Sequence, residues 1–112
     1  MAKNSNYFIK FDLIVLSVLK DKDRYAYEIT KYVTEVTERR IVPKQGTMYP
    51  FIYKLLEKQY ISSYQKIVNN KIRIYYHLED KGREYLENEL ENYYALVRAL
   101  DKLFGVHNHD GE

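Results

Sequence analysis

The sequence contains no cysteine and no tryptophan, and only two prolines and four glycines occur among its 112 residues. The missing thiols exclude cysteine nucleophiles, thiolate zinc sites and a disulfide framework. No glycine-rich phosphate loop and no Ser–His–Asp set occurs, so we expect neither an enzyme nor a cofactor. No apolar run approaches the ~18–20 residues that span a bilayer. Since residues 1–6 also lack the pattern of a signal peptide, we expect a cytoplasmic protein of one domain.

The charge is concentrated in the middle third of the chain. The formal net charge is only +2, but residues 39–73 carry eight basic residues and one acid, Glu57, whereas residues 74–102 are net acidic. A concentrated positive segment is what a polyanion partner requires. Charge alone leaves two interpretations open. The segment either binds nucleic acid, or it is a solvated face whose charge is neutralised by acids from elsewhere in the fold.

Apolar spacing predicts three helices in the first half of the chain. Residues 8–19 form a dense apolar run that favours a buried helix. Ala26, Ile29, Val33 and Val36 lie on one helical face, which predicts a second helix over residues 25–36. A third helix is expected to begin between Lys44 and Thr47 and to end near residue 59, since its apolar residues recur at helical spacing.

A β-hairpin is expected next, over residues 61–68 and 72–78. Both runs are rich in β-branched and aromatic residues, and the intervening asparagines tolerate the positive φ of a tight turn. In the second strand, apolar residues alternate with more polar ones. The alternation predicts one buried face (Ile72, Ile74, Tyr76, Leu78) and one polar face (Arg73, Tyr75, His77).

A long helix is expected over residues 80–104. Its apolar residues step alternately by four and three, which is a heptad seam: Leu86, Leu90, Tyr93, Val97, Leu100 and Phe104. A helix of roughly 35 Å is long for so small a domain, so part of the stripe would lack a partner within the chain. We therefore expect these six residues to form the interface of a homodimer, with packing on the chain's own core as the alternative.

Three helices followed by a hairpin make a winged helix, whose third helix enters the DNA major groove. The fold class expected is α+β, mainly α, with residues 1–78 as the DNA-binding domain and residues 79–104 as the dimerisation helix of the same unit. Residues 105–112 are expected to be a disordered tail, in which His107 and His109 are not expected to bind a metal. The expected DNA contacts lie at the start of the third helix and on the hairpin: Lys44, Gln45, Thr47, Tyr49, Lys54, Lys66, Lys71 and Arg73.

Short motifs through the third helix and the hairpin resemble the PadR family of bacterial transcriptional regulators. They are Gly46-Thr47-Met48-Tyr49-Pro50, Leu55-Leu56-Glu57, Ile61-Ser62, Arg73 with Tyr75-Tyr76 and Leu78, and Gly82. The stretch Ala26-Tyr27-Glu28-Ile29 is similar to the family's Gly-Tyr-Glu-Ile signature, with the glycine replaced. The single C-terminal helix is similar to that of the compact, multidrug-sensing subfamily of the LmrR type.

The resemblance implies a dimeric repressor that binds an inverted-repeat operator and is released by a small hydrophobic or aromatic effector. It places Tyr93 where an aromatic residue of the subfamily lines a pore between protomers. We expect Tyr94, Phe8, Phe11 and Val97 to share that site. Tyr49 and Tyr93 could instead be packing residues, and a winged helix that binds an acidic protein partner is the alternative function.

One departure from the family pattern concerns the end of the third helix. Gln59 stands where the family usually has glycine, so we expect the helix to be capped in a different way.

Overall fold

The computed structural model describes residues 10–105. The chain forms three helices, a hairpin and a long last helix, which confirms the predicted mainly helical winged-helix order. The elements are α1 (Phe11–Val18), β1 (Arg24–Tyr25), α2 (Ala26–Val36), α3 (Gln45–Glu57), β2 (Ile61–Val68), β3 (Lys71–Leu78) and α4 (Asp80–Phe104). The start of the first apolar run, including Phe8, lies outside the described residues.

The core is built from one apolar face of each helix. Its largest fully buried side chains are Val15 and Leu16 of α1, Ile29 of α2, Met48 and Ile52 of α3, and Leu86 of α4. The base of the hairpin closes this core through Ile61, Tyr76 and Leu78. The helical spacing of these residues in the sequence therefore predicts the buried faces correctly.

The short strand β1 was not predicted from the sequence. It pairs antiparallel with β3, so the sheet has the order β1-β3-β2. Arg24, its first residue, is buried and donates hydrogen bonds to the Val18 carbonyl oxygen at the end of α1 and to Asp21 Oδ1 at 2.9 Å. Its guanidinium also lies 4.1 Å from the centre of the Tyr32 ring. These contacts satisfy a buried cation that would otherwise be costly.

The hairpin turn is made by Asn69 and Asn70, both with positive φ, of 53° and 65°. Val68 pairs with Lys71, so the loop has two residues, and the predicted asparagine turn is confirmed.

The predicted burial pattern of β3 is wrong at three positions. Ile72 and Ile74, expected inside, are 64% and 40% exposed, whereas Tyr75, expected on the polar face, is only 8% exposed. The reason is that the hairpin extends past the core, so only its base has helices beneath it. Tyr75 is covered on its own face by the rings of Tyr25 and Tyr64, with centroid distances of 5.3 and 5.8 Å.

The end of α3 is also different from the expectation. Gln59 adopts the left-handed conformation itself, with φ of 65°. The Tyr60 N–H donates to the Leu55 carbonyl and the Gln59 N–H to the Leu56 carbonyl, both at 3.0 Å. This is the hydrogen-bond pattern of a Schellman motif, with glutamine in the position that glycine normally takes. The helix is therefore capped in the usual way, and the expectation of a different cap is wrong.

The first turn of α4 lies directly against the end of α3. The Glu79 N–H donates to the Tyr60 carbonyl oxygen at 3.0 Å. A Cβ on Gly82 would overlap with that same oxygen, so the close approach requires glycine.

One member of the predicted dimer seam belongs to the core instead. Leu86 is 1% exposed because α1 and the base of the hairpin already cover it, so it has no surface to offer a partner. Leu90 is partly buried against the same core.

Candidate nucleic-acid interface

A groove of about 530 Å³ lies between the start of α2, the exposed face of α3 and the hairpin. Tyrosine rings, one arginine and short polar groups line it, among them Tyr27, Gln45, Tyr49, Tyr53, Ser63 and Arg73. No carboxylate is found among the groove residues. The groove therefore offers phenol hydroxyls, an amide and a guanidinium to a bound molecule, which suits an anion with several oxygen acceptors.

The start of α3 places the predicted reading residues at one end of this groove. Lys44 is the N-cap of α3 and makes no side-chain cap hydrogen bond. Lys44, Gln45 and Thr47 are exposed, and Gln45 lines the groove. Tyr49 is partly buried, and its ring stacks on that of Tyr53 at 5.8 Å. An uncapped helix start leaves N–H groups that phosphate oxygens can satisfy.

Lys54 is exposed one turn further along α3, but it is not among the groove residues. Gln45 and Tyr49 line the groove beside the hairpin, whereas Lys54 does not.

The hairpin contributes two cations held side by side. Lys66 and Arg73 are cross-strand partners, and each lies over a tyrosine ring: Lys66 is 5.1 Å from the centre of Tyr75, and Arg73 is 5.0 Å from that of Tyr25. Like charges directly opposite each other destabilise a sheet. The tyrosine rings offset part of this cost, and a bound anion would offset more of it. Lys71 is exposed at the turn.

Arg73 retains an unused donor. Its Nε is buried and has no hydrogen-bond partner among residues 10–105. Alternation along β3 directs this side chain to the face opposite Ile72 and Ile74, so the guanidinium lies over Tyr25 at the edge of the groove and not inside it.

Asp23 places a carboxylate at the base of the hairpin. Its Oδ2 accepts a hydrogen bond from the Tyr64 hydroxyl at 2.7 Å, and its Oδ1 lies 2.8 Å from His77 Nδ1. Burial acts to raise the pKa of Asp23, but the hydrogen bonds from Tyr64 and His77 outweigh it, so this pKa lies below its ordinary value. The negative charge is therefore kept at the base, away from the cationic tip.

Apart from Tyr49, the tyrosines of the groove were not predicted from the sequence as DNA contacts. Tyr25 ends β1, Tyr27 lies in the first turn of α2, and Tyr53 lies one turn after Tyr49. The signal was available in the composition, since the chain has thirteen tyrosines. The spacing of Tyr49 and Tyr53 also predicts that they share one face of a helix.

A second, apolar groove of about 380 Å³ lies between α1, α2 and α4. Of the five residues expected to bind an effector, Tyr93 lines it, together with Leu13, Ile14, Val33, Val36 and Leu90. Tyr94 contacts Tyr93 edge to face at 5.2 Å, and Val97 lies one turn further along α4. Phe11 points elsewhere and packs its ring on Phe51 at 5.3 Å. Phe8 lies outside the described residues.

The rest of the predicted dimer seam follows this groove along α4. Tyr93, Val97 and Leu100 are partly exposed, and Leu103 and Phe104 are 75% and 68% exposed. The apolar stripe thus continues beyond the chain's own core.

Two further features are absent from residues 10–105. No group of three histidine, aspartate or glutamate side chains there is placed to hold a metal ion. No helix there is both long and apolar enough to cross a membrane. His107 and His109 lie outside this range.

Comparisons with known proteins agree with this geometry. The model of the transcriptional regulator PadR-like family matches residues 15–88. A transcriptional regulator from Clostridium thermocellum is 32% identical, with a TM-score of 0.75 over 81% of this chain and 89% of that one. A PadR family transcription regulator from Clostridium difficile is 30% identical, with a TM-score of 0.72 over 83% of this chain and 96% of that one.

A third solved structure includes DNA. Bacillus subtilis PadR, in complex with operator DNA, is 26% identical, with a TM-score of 0.66 over 71% of this chain and 46% of that one. The family match extends over α2, α3, the hairpin and the first part of α4. The chain belongs to the PadR-like family of transcriptional regulators.

Proposed function

We propose that this regulator is a dimeric repressor that binds an inverted-repeat operator and releases it when a small hydrophobic or aromatic effector binds. The observation that carries the DNA-binding part is the groove between α3 and the hairpin, which is free of carboxylates and lined by tyrosine hydroxyls and Arg73. The similarity of the chain to a relative that was solved in complex with operator DNA supports DNA binding as its function.

In this proposal the start of α3 reads bases and the hairpin contacts the backbone. Gln45 is exposed and has the geometry for a bidentate contact with adenine, and Thr47 can approach a thymine methyl group. Lys44 and the hydroxyl of Tyr49 contact phosphates, while Lys54 attracts the DNA from further away. Lys66, Lys71 and Arg73 form the wing contacts, because their charges lie together on the hairpin.

The dimer is supported by the exposed apolar end of α4. Leu103 and Phe104 are large apolar side chains that the chain itself leaves in water, and a second copy of α4 would cover them. Two-fold pairing through α4 would present two α3 helices to the same side of the DNA. Their half-sites would then lie about 34 Å apart, which is one helical turn.

The effector is supported by the apolar groove beside Tyr93. Its volume of about 380 Å³ falls in the range of small-molecule sites, and the faces of Tyr32 and Tyr93 can stack on a planar ring. Because α1, α2 and α4 all line the groove, a ligand there can favour one placement of α4 relative to the reading helices. It could release the operator only through a difference in affinity between two such arrangements.

The DNA-binding proposal is tested by titrating the protein against its own upstream DNA in gel shifts at several salt concentrations. We expect a steep negative slope of log affinity against log salt, since cations that contact phosphate release counterions. Lys71→Ala and Arg73→Ala should each flatten this slope by about one unit. Lys102→Ala, which removes an exposed cation near the far end of α4, is the matched control and should leave the slope unchanged.

Two outcomes would contradict the proposal. A flat salt dependence would show that the basic face does not contact DNA and would favour the alternative of an acidic protein partner. Compounds that raise the melting temperature by binding beside Tyr93, yet leave operator affinity unchanged, would contradict the proposal that an effector releases the operator.

A further inference from the structure

The outer half of the hairpin has an apolar face that is open to solvent. Ile67 is 72% exposed, Ile72 is 64% exposed and Ile74 is 40% exposed. Ile67 and Ile72 are direct cross-strand partners, and Ile74 follows on the same face. Three neighbouring isoleucines in water are costly for a free protein, at roughly 25 cal/mol for each Å² of apolar surface left uncovered.

The same ribbon is cationic on its opposite face. Alternation along the strands places the pairs Lys66–Arg73 and Val68–Lys71 on the face opposite Ile67 and Ile72. Residues 65–74 contain three basic residues and no acid. This charge pattern is complementary to a polyanion and unfavourable for pairing with the same segment of a second copy.

The isoleucine face is also continuous with the groove described above. Ile72 and Ile74 line that groove together with Gln45, Tyr49 and Tyr53 of α3. A duplex whose major groove holds the start of α3 would therefore pass over the isoleucine side of the hairpin.

We propose that Ile67 and Ile72 form an apolar wedge that enters the minor groove next to each half-site and bends the DNA there. The inference rests on the DNA binding proposed above and adds a mechanical role for the wing. Lys66, Lys71 and Arg73 would contact the phosphates that flank the opened groove.

The energetics favour such a wedge. Apolar side chains inserted between base steps unstack them partially and bend the duplex by about 20–90°. Burial of the two isoleucines and the added phosphate contacts offset the cost of unstacking. The cost is lowest at flexible pyrimidine–purine steps, so we expect a TA or CA step at the position of the wing in the operator.

The test compares two double variants. One carries Ile67→Val and Ile72→Val, and the other carries Ile67→Thr and Ile72→Thr. Valine and threonine have the same shape and similar strand preference, so the two double variants differ only in the polarity of the side chains at positions 67 and 72. The probe is a duplex selected from random-sequence DNA by the wild-type protein, with a donor dye at one end and an acceptor at the other. Affinity and energy transfer are measured together, and thermal melting by circular dichroism checks each fold.

We expect the wild-type protein and the valine pair to bend the duplex by about 20° or more. The threonine pair should bind about tenfold more weakly and leave the energy transfer at the value of free DNA. Because the substituted side chains lie in solvent, both pairs should melt at the wild-type temperature.

Three results would overturn the wedge. If the threonine pair bends the duplex as the wild-type protein does, the wedge is wrong while DNA binding stands. If the wild-type protein selects no duplex, the proposed function fails together with the wedge. If the threonine pair binds and bends normally but loses self-association in sedimentation, the isoleucines serve a second copy instead.

Discussion

The left-handed backbone of Gln59 costs the folded chain free energy at a single residue. A side chain at positive φ crowds the carbonyl oxygen, with a penalty of about 1–2 kcal/mol that glycine does not incur. Gln59→Gly should therefore raise the free energy of unfolding by about 0.5–1 kcal/mol, after allowing for the greater freedom of glycine in the unfolded chain. Urea unfolding followed by circular dichroism measures this change.

The control for this prediction is its neighbour. Lys58 has ordinary helical φ, so Lys58→Gly should lower the free energy of unfolding. If Gln59→Gly were also destabilising, the glutamine side chain would have to make a stabilising contact that outweighs the strain.

Single residues show where sequence reasoning reaches its limit. The position of Gln59 at the end of α3 could be predicted from spacing, but its conformation could not, because glycine is the usual residue there. The burial of Arg24 could not be predicted either, since its partners are a helix-end carbonyl, Asp21 and the Tyr32 ring. For such residues the environment is set by neighbouring elements rather than by local pattern.

Among the elements, α1 and α4 are joined by a partly buried tyrosine, Tyr85. The Tyr85 hydroxyl donates to Asp12 Oδ2 at 3.0 Å, and the Tyr85 ring stacks on Tyr60 at 4.7 Å. Burial and the hydrogen bond to Asp12 together raise the pKa of Tyr85 well above its ordinary value. The folded chain keeps this proton while unfolded tyrosine releases it near pH ~10. The stabilisation is therefore complete below pH ~10 and is lost as the pH rises above it.

We predict that Tyr85→Phe flattens this alkaline loss of stability. At neutral pH the variant should be about 1 kcal/mol less stable, because it lacks the hydrogen bond to Asp12. Between about pH 9 and pH 11 its free energy of unfolding should fall less steeply than that of the wild-type protein. Denaturant unfolding at a series of pH values measures both slopes.

Tyr94→Phe is the matched control, since Tyr94 is an exposed tyrosine of the same helix. It should retain the wild-type slope. Parallel profiles for Tyr85→Phe and the wild-type protein would show that Tyr85 does not hold its proton in the folded state.

The elements themselves could be predicted from the sequence to different degrees. The helices and the hairpin have periodic apolar patterns, which depend only on local geometry. The two-residue strand β1 has no such pattern, because its pairing with Tyr75 and Tyr76 defines it.

In the candidate site, the cations of α3 and the wing could be predicted from charge and order. The tyrosine lining could not, because Tyr25, Tyr53 and Tyr76 come from three separate elements.

On the scale of the whole molecule, the cluster of positive charge and the predicted dimer seam lie on different elements. The cations cluster on α3 and the hairpin, and the end of α4 carries the exposed apolar side chains Leu103 and Phe104. Such a division suits a protein that pairs through one end and binds a polyanion with the other.

The last prediction concerns this pairing. Leu103→Asp with Phe104→Asp should convert a dimer at micromolar concentration into a monomer, because each carboxylate would lose its water in the seam. A weakening of dimer affinity by at least ~100-fold is expected. Since both residues are exposed in the single chain, the variant should keep the wild-type melting temperature.

The control is the double variant Asn88→Asp with Ala95→Asp, which adds the same charge on the outer side of α4 and should sediment as the wild-type dimer. The monomer should also lose affinity for a two-half-site operator, since its two reading helices would no longer bind together. A wild-type chain that sediments as a monomer at ~10 µM would contradict the dimer, because the exposed apolar end of α4 would then have no second copy to cover it.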